Sequence, residues 1–361
     1  MKNLIPVMVL AMVSVMSSCK KENAIFLASG YSAEGKQDVM LCRLNDDGSI
    51  ETLSGIDVGD NPSFFDYGND GLIYCANEVD TFNFKAGGGI TTLLFDAKEN
   101  KVTKISSINQ GGGGPCHIVL SNDRKYLITA NYGSGSVSVV KLDSAGIPAE
   151  VTDVIYYGNR SHPHMTLYNP RLNLYYISDL GLDRIHQLRL DTAIGRLIDA
   201  DVAYIRSAPG SGPRHMAIDK PGANLYVINE LSSKIYQFDI LSDSAKMQQT
   251  VSTLPGDYTG ESFCADIHLS ANGKKLYGSN RGHNSIVTFK VGLGGRLSDP
   301  TFQDCGGNWP RNFAVSPAGK YFVIANQRSN EISVLSADKK TEGKAVSKLP
   351  FNAPACVRFL R

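Results

Sequence analysis

A period of roughly fifty residues runs through this 361-residue chain, and no other feature narrows its possible folds so far. Residues 212–240 divide into GPRHMAI, DKPGAN, LYVINE, LSSK and IYQFDI, and residues 114–142, 162–190, 264–291 and 309–335 divide in the same way. Pro62, Pro115, Pro163, Pro213, Pro310 and Pro354 open the first run of their units, with Ala265 in that place once. Fifteen or sixteen residues later stand Asn77, Asn131, Asp179, Asn229, Asn280 and Asn326, and these second anchors recur every 46–54 residues. Each unit reads as three strands separated by a Gly/Asn/Pro turn and a polar turn, followed by a weaker fourth strand such as residues 197–204. Four antiparallel strands per unit describe the blade of a β-propeller. A parallel β-helix would need a much shorter period, and a sandwich would not repeat in phase.

The two ends of the chain complete the count. Residues 354–360 form a first strand with no second strand after it, whereas residues 25–44 supply a second and third strand with no first. Joined, they make one blade, so six internal blades and one shared blade give seven. The expected fold is therefore all-β, a seven-bladed propeller over residues 25–361 closed by strands from both termini. Closing the ring in this way locks the circle. No linker or second domain interrupts the repeat.

Residues 1–18 stand apart from it. Lys2, an apolar run over residues 4–16 and Ser17-Ser18 before Cys19 have the order of an export signal, and the run is short for a membrane span. A cysteine directly after the small residues resembles a bacterial lipoprotein signal. The expectation is a signal peptide over 1–18, lipid on Cys19, and a short tether over 19–24. The protein would then be exported and touch the membrane only through its lipid. With 36 basic and 35 acidic residues, the charge balance gives no electrostatic case for a nucleic-acid partner. Six further cysteines lie mostly in strand-like runs and read as small buried hydrophobes, and no metal or cofactor motif is present.

In a propeller the first strands flank a central channel, so the residues that open them converge on its mouth. The residues after the first anchors give one ring: Ser63, Cys116, His164, Arg214, Asp266, Arg311 and Ala355. Those after the second anchors give another: Glu78, Tyr132, Leu180, Glu230, Arg281 and Gln327, with Gly30 from the shared blade. His164, Arg214, Glu230 and Arg281 come from consecutive blades. A guanidinium pair presents a planar donor fork suited to a carboxylate or phosphate, and Glu230 or His164 can exchange a proton. Arg311, Asp266 and His117 are candidate binding neighbours. His117 and His215 follow the ring by one residue, so strand alternation points them into the packing between blades. Two readings fit this ring, a catalytic anion site and a salt-bridged plug.

The segments GPRHMAIDKPGANLYVINELSSKIYQF, ADIHLSANGKKLYGSNRGHNSI and PRNFAVSPAGKYFVIANQ closely resemble the lactonase family of seven-bladed propellers. That family includes propeller-type 6-phosphogluconolactonases and fungal carboxy-cis,cis-muconate cyclases, and the resemblance covers residues 25–361. In its cyclase branch a His, two Arg and a Glu form the proposed active site. By motif position they fall on His164, Arg214, Glu230 and Arg281. The resemblance implies a metal-independent hydrolase acting on a small anionic lactone, phosphorylated or carboxylated. A cycloisomerase or lyase using the same four residues, and a surface-anchored binding propeller without catalysis, are the alternatives.

Overall fold

The computed structural model describes residues 23–31, 38–241, 245–337 and 344–360. The expected signal peptide and Cys19 lie outside the described residues, as does the tether up to residue 22. Ala24, expected in the tether, already pairs with Leu44 and belongs to the propeller.

Among the described residues seven four-stranded antiparallel sheets form, and in six of them the strands lie in chain order from the channel outwards. Blades 1 to 6 comprise residues 62–109, 115–156, 163–206, 213–252, 263–304 and 310–350. Blade 7 takes its innermost strand, Pro354–Phe359, from the end of the chain and its other three, Ala24–Gly30, Val39–Leu44 and Ile50–Ile56, from the beginning. A small hairpin of Thr81–Phe82 and Lys85–Ala86 is added to blade 1 between its second and third strands.

Burial follows position in the blade. Second strands such as Tyr126–Asn131 and Leu174–Asp179 are buried at every residue, because neighbouring blades cover both faces. Outermost strands such as Lys246–Ser252 are largely exposed and carry polar residues. One apolar cluster fills each of the seven blade–blade junctions. Between blades 3 and 4, for example, Tyr176 and Ile185 pack with Met216, Leu225, Val227 and Phe238. The six cysteines beyond Cys19 are buried and unpaired, as their strand positions suggest.

Three of the second anchors share a purpose, whereas Asn131 donates to Ser136 and Ser138 and Asn229 to the Val227 and Lys234 carbonyls within their own blades. Asn77 donates to the carbonyls of Val58 and Asp60, Asn280 to Thr253, and Asn326 to Cys305, so each amide holds the segment arriving from the previous blade. Asp179 reverses the polarity. Its carboxylate accepts from Ser161 Oγ and the His162 N–H, with His186 Nε2 at 3.2 Å.

Pairing also corrects the repeat by one residue in two blades. Cys264 lies opposite Asn280, so Cys264, rather than Ala265, fills the place of the anchor proline. In blade 7 Gly30 lies opposite Pro354, so Gly30 is the second anchor and Tyr31 is the ring residue. Asp266 therefore leaves the mouth ring and drops to the layer below it.

Each innermost strand of blades 1 to 6 slips register just after its first anchor. Where two residues oppose one, strict alternation is lost and the following side chain is re-aimed. His117 and His215 consequently line the channel instead of packing between blades. Their rings lie 6.0 Å apart although blade 3 separates their blades, and the Phe64 ring of blade 1 packs tilted against His117 with centroids 4.1 Å apart. This layer stitches the ring together. An innermost strand has unpaired N–H groups on its free edge. Thr166 N–H points to His117 Nδ1 at 3.5 Å, Phe313 N–H donates to Asp266 at 3.2 Å, and Val357 N–H donates to Asn312 at 2.8 Å. Asp266 also bridges His215 at 2.7 Å and His268 at 2.8 Å. His117 and Asp266 are thus channel residues beneath the mouth.

Candidate active site

The mouth is built where second strands turn back and where innermost strands begin. Glu230 follows Asn229 at the end of strand Asn224–Asn229, and its backbone is fixed from both sides. Its N–H donates to the Gly212 carbonyl at 2.7 Å, and its carbonyl accepts from Cys264 at 3.2 Å. Arg214 reaches it from the bulge of the same blade, and Arg281 from the end of strand Lys275–Arg281 in blade 5.

One carboxylate oxygen serves both cations. Glu230 Oε2 lies 2.8 Å from Arg214 Nε and 2.8 Å from Arg281 Nη2. The Arg214 contact is a close ion pair without the alignment of a hydrogen bond. Backbone carbonyls occupy further N–H groups. Arg214 Nη1 donates to Ala265 at 2.6 Å, while Arg281 donates through Nε to Phe263 at 3.3 Å and through Nη2 to Cys264 at 3.1 Å. The Arg214 side chain is only 2 % exposed, whereas Glu230 is 19 % exposed. Arg214 therefore sits behind the carboxylate.

A second charged group lies across the mouth. Tyr31 donates to Glu78 Oε2 at 2.7 Å, Arg311 donates to the Tyr31 hydroxyl, and Arg311 Nη2 is 3.7 Å from Glu78. Arg311 is 17 % exposed, more than either other arginine. His164 stands within electrostatic reach of Arg214, Arg281 and Arg311, with its ring 5.7 Å from Tyr132 and 5.2 Å from His215. Its Nδ1 is buried without a partner.

Electrostatics set the protonation states. Burial opposes the Glu230 anion, but Arg214, Arg281 and Arg311 outweigh it and hold the carboxyl below its ordinary value. Burial and the charges of Arg214, Arg311 and Arg281, with His215, hold the His164 imidazole well below 6.5, so it is neutral at neutral pH. Burial pushes the Cys116 thiol up, which removes it as a thiolate nucleophile at neutral pH. Three guanidinium groups thus face two carboxylates, leaving one positive charge at the mouth.

The structure brings together four expected residues, His164, Arg214, Glu230 and Arg281, and places Arg311 opposite them. His117 and Asp266 lie one layer deeper. Sequence reasoning missed Tyr31, hidden by the one-residue slip in the split blade. It also passed over Trp309, whose place before an anchor proline was visible in WPRNFAV.

Known proteins share this architecture. A solved periplasmic gluconolactonase of Pseudomonas aeruginosa superposes with a TM-score of 0.85 at 27% identity, covering 94% of this chain and 99% of that one. A 6-phosphogluconolactonase of Formosa agariphila is 31% identical, with 84% of this chain and 88% of the relative covered. A 6-phosphogluconolactonase of Bacillus subtilis is 28% identical, with 81% and 85% covered. The family model described as lactonase, 7-bladed beta-propeller, matches residues 25–359. The chain belongs to the lactonase family of seven-bladed β-propellers.

Proposed function

We propose that this chain hydrolyses a sugar lactone to its open hydroxy acid, with Glu230 as the base. The observation that carries the assignment is the sharing of Glu230 Oε2 by two guanidinium groups. That arrangement keeps the carboxylate charged and orients it, and it leaves Oε1 for a water at the mouth. Water adds to the ring carbonyl as Oε1 takes its proton. The oxyanion develops in front of Arg281 and Arg311, whose N–H groups stabilise it. Collapse of the adduct breaks the ring C–O bond, and the proton passes from Glu230 to the departing oxygen. One water is consumed and one hydroxy acid is formed. A carboxyl held below its ordinary value is ionised at neutral pH and so free to accept the proton. Arg214 acts through Glu230 as a positioning residue.

The lactonase names of the relatives favour hydrolysis over cycloisomerisation. The test is acid release in a pH-stat, with gluconolactone, its 6-phosphate and a carboxylated lactone as substrates. Hydrolysis of at least one well above its spontaneous rate is expected. No acceleration with any of them overturns the reading.

The periplasmic relative also supports export. Lipid on Cys19 would tether the chain beside Ala24, where the first strand of the described chain begins. That strand runs to Gly30 and Tyr31 at the mouth, so the tether enters at the opposite face and the mouth points away from the membrane. Cys19→Ala is expected to move the protein from the membrane fraction to the soluble fraction with activity retained. Native protein that is soluble and retains Met1 rules out the anchor.

A further inference from the structure

The residue just before the innermost strand has a left-handed backbone in five blades: Asn61 at φ 49°, Gly114 at 60°, Gly212 at 63°, Trp309 at 68° and Ala353 at 38°. Glycine and asparagine adopt this conformation readily, whereas a bulky side chain there is strained. Trp309 is the largest residue in that set and the only tryptophan in the chain. Such strain persists where the surrounding structure holds it, and it clusters at functional sites.

The surroundings of Trp309 point to one purpose. Its ring centroid is 5.3 Å from the Arg281 guanidinium carbon, and Arg328 lies over the ring at 3.2 Å. Its backbone N–H donates to Asn284 Oδ1 at 2.9 Å, in the turn that follows Arg281, and its backbone carbonyl accepts from Gln327 at 3.0 Å. The backbone at 309 thus ties down the turn after Arg281, and the Trp309 ring offers that cation an aromatic surface. Arg281 has particular need of one, because burial, Arg214 and Arg311 all act against its charge.

We propose that Trp309 is a positioning residue for catalysis, holding the Arg281 guanidinium against Glu230 at the cost of a strained backbone. The proposal rests on the assignment of Arg281 and Glu230 to lactone hydrolysis. It makes a combined prediction that ordinary packing does not. Trp309→Gly removes the ring and relieves the strain together, so the melting temperature should stay within about 2 °C of wild type. Meanwhile kcat/KM should fall by about ten- to a hundredfold through kcat, because a misplaced Arg281 stabilises the oxyanion poorly. Trp309→Phe, which keeps an aromatic face, should recover most of that loss. Arg328→Ala, which strips only the exposed cation from the ring, should leave kcat/KM within about twofold, as expected of an exposed site.

A readout independent of turnover separates this proposal from the functional reading on which it rests. In a double-mutant cycle of Trp309→Gly with Arg281→Met, the two changes in melting temperature should be non-additive. Additive shifts overturn the proposal, as does Trp309→Gly melting far below wild type with unchanged kcat. A wild type that hydrolyses no lactone while the cycle still shows coupling overturns the hydrolase assignment and leaves the Arg281–Trp309 contact standing.

Discussion

Glu230→Gln is expected to lower turnover by about 10²–10⁴-fold, the scale for loss of a general base. Glutamine keeps the volume and one acceptor oxygen, so the mouth retains its shape. It loses the charge, and with it the ability to take a proton from water. It also leaves Arg214, which is almost fully buried, facing an amide. Breaking a buried pair from one side costs about 3–5 kcal/mol, so the melting temperature should fall with the rate. The pH dependence has a defined sign. A carboxyl whose folded value is depressed contributes stability above its unfolded value and loses it as pH falls through the folded value. The wild type should therefore hold this contribution at neutral pH and lose it only in acid, below the ordinary carboxylate range. Glu230→Gln should show a flatter acid limb. Turnover in a pH-stat and melting curves across the acid range test both parts. His164→Asn is the informative contrast. If it abolishes turnover while Glu230→Gln leaves it intact, the proton acceptor is the neutral imidazole. Full activity of both variants removes the site assignment.

The repeat was readable because turns and anchors carry their own chemistry. A buried Asn that caps the carbonyls of an arriving segment is hard to replace, so Asn77, Asn280 and Asn326 mark the blades in the sequence. Asp179 in the same place is explicable once Ser161 and His162, from the segment arriving there, are seen to donate to it. The ring of charged residues followed from the same count. What alternation could not reveal was the slip after each first anchor, because a bulge is a property of the paired backbone. His117 and His215 were therefore assigned to the wrong face, and Asp266 to the wrong layer. Cys264 is small and apolar, and it filled the proline place without any mark in the sequence. Burial of Arg214 behind Glu230 was equally hidden, since the same ring position gives Arg311 a place nearer solvent.

Deleting residues 351–361 is expected to abolish cooperative folding. The deletion removes strand Pro354–Phe359, which pairs with Ala24–Gly30 from Phe26 opposite Phe359 to Gly30 opposite Pro354. It exposes the unpaired edge of a strand whose residues Phe26, Leu27 and Ala28 are fully buried. Two junctions open together, because Val357 belongs to the cluster shared with blade 6 and Cys356 to the one shared with blade 1. The channel layer also loses the N–H of Val357 that Asn312 accepts, and Arg358, which lies 3.4 Å from Asp66 of blade 1. A typical domain is stable by about 5–15 kcal/mol, and losses at two apolar junctions and a whole ladder are of that order. Circular permutation separates the strand itself from the covalent arrangement. Leu360 N–H donates to the Ile25 carbonyl at 2.8 Å, so a short linker can join these ends. Opening the permuted chain at the exposed turn around Gly210 keeps every strand and gives up the covalent connection between blades 3 and 4 together with the local bonds of that turn, such as Gly210 N–H to Asp183. That protein should fold and melt below wild type, while the truncated chain shows no cooperative transition. A truncated chain melting at the wild-type temperature would mean that the ring does not depend on its shared blade.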